Sequence, residues 1–216
     1  MLADSAALRA AIIATALGMN AAGINRGKSG NVSARIDGGF VITPSGLPYA
    51  DTTPDDIVAM DETGTASGTR KPSSEWRFHR DIYADRPEVR AIVHAHSPFA
   101  TSLACLDRGI PAFHYMIAVA GGDDIRCAPY ATFGTQALSD HALRALDGRR
   151  ACLLAHHGMI ACGESLSGAL ALAVEVETLA EMYWRALQIG EPRVLGDEEM
   201  REVLAKFATY GAARAS

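Results

Sequence analysis

The chain has no uninterrupted apolar run approaching the ~18 residues that a membrane-spanning helix needs, so no membrane segment is predicted. It also lacks an excess of positive charge: 20 Lys and Arg stand against 25 Asp and Glu, a net charge of −5. That balance excludes a general nucleic-acid or membrane-surface binder, which needs a basic field, but not a small anion that senses only local charge. Cysteine is sparse, with Cys105, Cys127, Cys152 and Cys162 spread over 216 residues and no CxxC pair, which excludes a disulfide framework and a zinc knuckle. Lysine is scarcer still. Lys28, Lys71 and Lys206 are the whole supply, none in an apolar stretch that would depress its pKa, so Schiff-base chemistry has no candidate. Neither a P-loop nor a GxGxxG spacing occurs, so nucleotide binding has no support.

What is present is a hydrophobic content of 49%, ample for a buried core and incompatible with disorder at this length. Residues 10–24 are apolar, but Asp4 stands where a positive flank belongs, Arg9 is the one preceding cation and Asn20 interrupts the run. These are not the flanks of a cleaved signal, and the protein is expected to be cytoplasmic. Residues 4–22 read as helix, with Leu8, Ile12, Ala16 and Met19 at helical spacing and Gly23 as its stop. Residues 31–42 alternate around Asp37-Gly38-Gly39, a hairpin signal, and residues 56–60 form another short strand. A helix follows from about residue 75 to 84, with serines available as N-caps and Trp76, His79 and Tyr83 on one face. Residues 89–97 and 151–158 read as strands, residues 135–146, 165–188 and 197–207 as helices, the last capped by Asp197. Without strict βαβ alternation, the pattern predicts a single α/β domain, residues 1–216, with a mixed or antiparallel sheet.

His94 and His96 lie two apart on a predicted strand, so their imidazoles share a face and can chelate a divalent metal. His156 and His157 add a second candidate. They end the second predicted strand, where adjacent side chains point to opposite faces, so at most one joins the pair, but periodicity does not say which. Three histidines with an open position is the arrangement of a catalytic zinc site. Glu75, at a helix start, is the carboxylate best placed to accompany them, either as a ligand or as a base. Three further turns offer amides and hydroxyls to an anion: residues 27–31 with Lys28, residues 43–46 with Ser45 and Gly46, and the pair Ser73-Ser74.

The segments GNVS, ITPSG, KPSSEWRFHRDIY, VHAHS, IPAFHYMIAVAGG, CAPYATFGT and AHHGMIA, in this order and spacing, resemble the class II sugar-phosphate aldolases. The match is nearest to the bacterial L-fuculose-1-phosphate aldolases as a group and extends through KFATYG. The resemblance implies a three-layer α/β/α fold with a mainly antiparallel central sheet, assembled as a C4 homotetramer with active sites between subunits. It implies Zn2+, or another divalent metal such as Mn2+ or Co2+, held by His94, His96 and His157. Glu75 would be a ligand at rest and the acid/base in turnover. It implies phosphate contacts from Asn31, Ser45, Gly46, Ser73 and Ser74, proton donation by Tyr115 of a neighbouring subunit, and a C-terminal lid carrying Tyr210. Lys28 departs from the family's usual small hydroxyl residue. It either adds a cation beside the phosphate or swings into solvent, and the sequence leaves both open.

The implied reaction is retro-aldol cleavage of a ketose 1-phosphate, L-fuculose-1-phosphate-like, to dihydroxyacetone phosphate and an aldehyde. Alternatives within the fold are an aldolase for 5-deoxyribulose- or 5-methylthioribulose-1-phosphate and a methylthioribulose-1-phosphate dehydratase. Family epimerases carry aspartate where Glu75 stands, which argues against epimerisation. A metal-free binding protein on the same scaffold is disfavoured because the ligand set and the glutamate are both present.

Overall fold

The computed structural model describes residues 3–207, so Tyr210 and the expected C-terminal lid lie outside the described residues. Helix α1 (Ala6–Ala21) begins where the Ser5 hydroxyl accepts the Leu8 amide at 3.2 Å, satisfying a donor that the first turn leaves unpaired. Strands β1 (Asn31–Ile36) and β2 (Gly39–Ile42) form the expected hairpin. Its turn relies on Gly38, whose φ of +76° is open to glycine at no steric cost. Strand β3 (Val58–Asp61) follows a short 3-10 turn at Pro54–Asp56, and β4 (Ala66–Ser67) pairs with it at the sheet edge.

Helix α2 (Trp76–Asp85) leads into the buried strand β5 (Ala91–Ala95), and α3 (Pro98–Ala104) leaves it. The pairs β6 (Ile110–Pro111) and β7 (Asp124–Ile125) form a separate two-stranded ribbon around a 3-10 segment at Tyr115–Ala120. Then come β8 (Cys127–Ala128), α4 (Gln136–Leu146), β9 (Ala151–Leu154), β10 (Gly158–Gly163), α5 (Leu166–Ile189) and α6 (Asp197–Phe207). The main sheet has the order β4-β3-β2-β1-β5-β10-β9-β8 and is antiparallel except for the β8–β9 pair.

Alternation along the strands divides the core between two faces. Val32, Ala34, Val93 and Met159 pack with α1, α3 and α5, whereas Ile42, Ile92, Cys152 and Ile160 pack with α2 and α4. The result is the three-layer α/β/α arrangement with a mainly antiparallel centre. His94 shares its face with Ile92, the α2 side, which is where Glu75 enters.

Three local expectations are corrected. The N-cap position of α2 is taken by Glu75 rather than by a serine; the Ser73 hydroxyl accepts the Glu75 amide at 3.3 Å, one step upstream. Asp197 is the first residue of α6 rather than its cap. Residues 151–158 are not one strand: β9 stops at Leu154, and residues 155–157 turn into β10.

The segment after β5 is tied down from α5. Glu177 accepts the Ser97 hydroxyl at 2.6 Å and the Phe99 and Ala100 amides at 2.8 and 2.9 Å, closing the N-terminus of α3 with a charge that its dipole favours. Glu177→Gln removes that charge and turns an amide donor toward other donors. The variant is expected to lose about 1.5–3 kcal/mol in a denaturant titration, where an unchanged midpoint would show the contact to be neutral.

Candidate metal centre

His94 is fully buried, and its Nδ1 bonds the Met159 carbonyl across the β5–β10 pair at 2.8 Å. A carbonyl only accepts, so Nδ1 carries the proton and Nε2 presents its lone pair to the site. That Nε2 lies 3.0 Å from His96 Nε2 and 3.1 Å from Glu75 Oε2, while His157 Nε2 lies 3.1 Å from Glu75 Oε1. The three imidazole rings meet edge to face, with centroids 4.8–4.9 Å apart. All four potential ligand atoms fall within 4.8 Å of one another. Around a tetrahedral zinc with bonds near 2.0–2.1 Å, neighbouring ligand atoms stand about 3.3 Å apart, close to these spacings.

Electrostatics favour a cation at this point. Burial alone would raise the Glu75 pKa, but His94 and His157 outweigh it and hold the carboxyl well below its usual range. Burial also opposes a charged His94, yet Glu75 lifts its pKa above the ordinary value. His96 is pushed down to about 4, by burial first and then by His94 and His157, so it is a neutral ligand near neutral pH. Glu75 Oε1 is buried and makes no aligned hydrogen bond, with His157 Nε2 its neighbour at 3.1 Å. An orphaned carboxylate oxygen facing convergent imidazole nitrogens is costly unless a cation completes the set. The residues present therefore fit a divalent metal.

The choice between His156 and His157 is made by the turn. His156 takes a left-handed φ of +55°, leaving its side chain exposed and 3.9 Å from Asp107, and this delivers His157 to the cluster. Behind the turn, a Cβ on Gly158 would stand 2.5 Å from the Ala95 carbonyl oxygen and 3.0 Å from His96 Cδ2, so only glycine lets the strands close at the His96 end.

The expected phosphate segments are brought together. The Ser45 amide bonds the Lys71 carbonyl at 3.0 Å and the Ser73 amide bonds the Thr43 carbonyl at 3.1 Å, laying residues 43–46 beside residues 71–75. Lys28 reaches across, its amine donating to the Gly46 carbonyl at 2.6 Å. Ser29 and Ser74 line the same cleft of about 290 Å³ as Glu75, His96 and His157. Asn31 is buried, its Nδ2 donating to Glu75 Oε2 at 3.0 Å. Tyr115 does not line this cleft. It is half exposed, and its ring stands 6.3 Å from that of Phe207. Sequence reasoning left the opposite wall unassigned: Tyr130, Ala131 and Phe133, with both aromatics largely exposed at the cleft. They lie in CAPYATFGT, one of the family-like segments, to which no site role was given.

The profile of the class II aldolase and adducin N-terminal domain family matches residues 10–184. The chain belongs to this family. It is 61% identical over 205 residues to the 5-methylthioribulose-1-phosphate/5-deoxyribulose-1-phosphate aldolase of Rhodospirillum rubrum, across 95% of this chain and 93% of that one. It is 52% identical over 201 residues to the L-fuculose phosphate aldolase of Escherichia coli, across 93% and 94% of the two chains. A solved L-fuculose 1-phosphate aldolase superimposes with a TM-score of 0.91 at 42% identity, over 94% of this chain and 97% of that chain. This class II aldolase is thus an aldehyde-lyase with a site that could hold a divalent metal. Among its described residues, no helix is long and apolar enough to cross a membrane.

Proposed function

We propose that this class II aldolase cleaves a ketose 1-phosphate with a short apolar C5 substituent, of the 5-deoxyribulose or 5-methylthioribulose kind, to dihydroxyacetone phosphate and an aldehyde. The observation that carries the reaction class is the convergence of three imidazole nitrogens and the Glu75 carboxylate at a cleft lined by Ser29 and Ser74. His94, His96 and His157 would hold zinc, with manganese or cobalt as alternatives that imidazole and carboxylate also suit. When bound, the metal supplies a positive charge that stabilises the electron pair released as the C3–C4 bond breaks.

The chain's own groups handle the protons. In cleavage a base removes the C4 hydroxyl proton and the C3–C4 electron pair passes toward the C2 carbonyl; in the reverse direction Tyr115 of a neighbouring copy gives the proton to the new alkoxide in this reading. Glu75, having taken up a proton from solvent, gives it to C3. A Tyr115 that is exposed and absent from its own cleft is free to serve the site of a neighbouring copy, as in the C4 homotetramer that the resemblance implies. Residues 43–46 and 71–75 with Lys28 form the phosphate end: Ser45, Gly46, Ser73 and Ser74 offer amides and hydroxyls. Asn31 borders this end and is held against Glu75.

The apolar wall of Tyr130, Ala131 and Phe133, together with the 61% identity to an aldolase of the 5-methylthio and 5-deoxy sugars, supports the C5 assignment. L-Fuculose 1-phosphate is the second reading, supported by the 52% relative and by the solved structure. Coupled detection of dihydroxyacetone phosphate across fuculose-, rhamnulose-, ribulose-, 5-deoxyribulose- and 5-methylthioribulose-1-phosphates decides between them. The highest kcat/KM is expected with the last two. A preference for fuculose replaces the C5 assignment, and loss of water from methylthioribulose 1-phosphate without dihydroxyacetone phosphate makes the protein a dehydratase.

Lys28 supplies a separate check. Its amine needs to exchange the Gly46 carbonyl for a phosphate oxygen, a charge-assisted contact. Lys28→Ala is expected to raise KM about tenfold with kcat nearly unchanged, the pattern of a lost ground-state contact. An unchanged KM would leave the lysine as a latch between two turns.

A further inference from the structure

Beneath the metal centre, a chain of buried polar side chains runs between α2 and β1. Tyr83 OH lies 2.8 Å from Ser33 Oγ, which lies 2.7 Å from His79 Nδ1. His79 Nε2 lies 2.5 Å from Asn31 Oδ1, and Asn31 Nδ2 donates to Glu75 Oε2 at 3.0 Å. The order follows from two periods. Glu75, His79 and Tyr83 are four residues apart along one face of the helix and its cap, and Asn31 and Ser33 are two apart on one face of the strand. Four helical residues rise about 6 Å and two strand residues about 6.7 Å, so the two sets interleave like the rungs of a ladder.

We propose that His79 is a positioning residue for Glu75. It acts through Asn31, as the centre of a one-way hydrogen-bond chain that anchors a single oxygen of the catalytic carboxylate. The inference rests on the aldolase reading, in which Glu75 carries a proton.

The direction of the chain is fixed at its Glu75 end. An ionised carboxylate only accepts, so Asn31 must present its amide nitrogen to Oε2 and its carbonyl oxygen to His79. Two acceptors cannot bond, so His79 Nε2 carries a proton. The ring is wholly buried, which favours the neutral form, and its pKa is pushed down to about 3, by burial first and then by His94. Nδ1 is therefore bare and accepts the Ser33 hydroxyl, and Ser33 in turn accepts the Tyr83 hydroxyl. With a neutral ring, turning the His79 links around would set Asn31 Oδ1 against Glu75 Oε2. Both hydroxyls and the ring N–H each have an acceptor in this arrangement, as a buried network requires. The chain ends on Oε2, while Oε1 makes no aligned hydrogen bond and faces His157 Nε2 at 3.1 Å, which leaves Oε1 as the oxygen to carry the proton.

The test uses the metal-loaded enzyme. His79→Phe keeps a ring stacked on Phe78, whose centroid is 4.6 Å away, but removes both nitrogens. It is expected to retain stoichiometric metal and KM while kcat falls about 10–100-fold, the usual cost of losing an outer partner of a site ligand. His79→Gln can reproduce the pair of one N–H donor and one acceptor, and is expected to recover kcat to within about fivefold of wild type. A Phe variant with wild-type kcat overturns the proposal, as does a folded, metal-loaded Gln variant as slow as the Phe variant. Should the Phe variant not fold, ring 15N shifts of His79 in the wild-type holoenzyme give the answer directly: Nε2 protonated and Nδ1 bare are expected near neutral pH. The opposite tautomer, or an imidazolium, overturns the proposal. If wild-type enzyme releases no dihydroxyacetone phosphate from any ketose 1-phosphate, the aldolase substrate reading fails, while the tautomer still judges the chain.

Discussion

Glu75→Gln is expected to keep its metal and to lose roughly 10²–10⁴-fold in turnover, the range of a single general acid/base group. The side chain keeps its volume, and the three histidines are untouched. The amide cannot take up and return a proton, which is what the proposed C3 step requires. Its oxygen would turn toward Asn31 Nδ2, now 3.0 Å from Oε2, leaving the amide nitrogen facing His157. Metal content measured beside single-turnover release of dihydroxyacetone phosphate separates the two roles of this residue. Loss of metal would make Glu75 chiefly a ligand, and normal turnover would remove it from the chemistry.

A still larger loss, about 10⁴-fold or more in activity, is expected for His94→Ala, because it removes a proposed metal ligand and the strongest charge partner of a buried carboxylate together. With His94 gone, burial of Glu75 is less opposed, and its pKa should move upward from its depressed position. The variant also loses the bond to the Met159 carbonyl and the edge contact with Phe78. Wild-type protein stripped by a chelator should regain activity on addition of metal, and its melting temperature should rise with metal concentration, because only the folded chain assembles the site. His94→Ala should show neither response. Stoichiometric metal with normal activity in that variant would overturn the ligand assignment.

How far the site could be read in the sequence depended on whether its geometry was local. His94 and His96 were legible because a period of two is a property of the strand itself. His157 was not separable from His156 by that logic, because the pair lies in a turn where φ is +55° at His156 and strand alternation does not hold. Resemblance to a family, not spacing, singled it out. His79 and Tyr83 were visible as a helix face, but their partners Ser33 and Asn31 lie 46 to 50 residues earlier, a separation that no local pattern spans. The long helices and the hairpin were legible for the same local reason. The two-residue strands β4, β6, β7 and β8 were not, since two residues show no period. The Glu75 cap was missed because serine is the usual choice, and here the position is filled by a residue with work elsewhere.

Gly158 has a consequence for how this scaffold can change its substrate. A side chain there would strike the backbone of the neighbouring strand and the ring of His96. The floor of the cleft therefore tolerates almost no variation without disturbing the histidines. Its aromatic rim, by contrast, stands open: Tyr130 and Phe133 are 60% and 63% exposed and bear little of the core. Adaptation to new aldehydes, in nature or in directed evolution, should be written in residues 130–133 while the sheet beneath them stays fixed. Libraries confined to that rim should yield altered selectivity at little loss of metal.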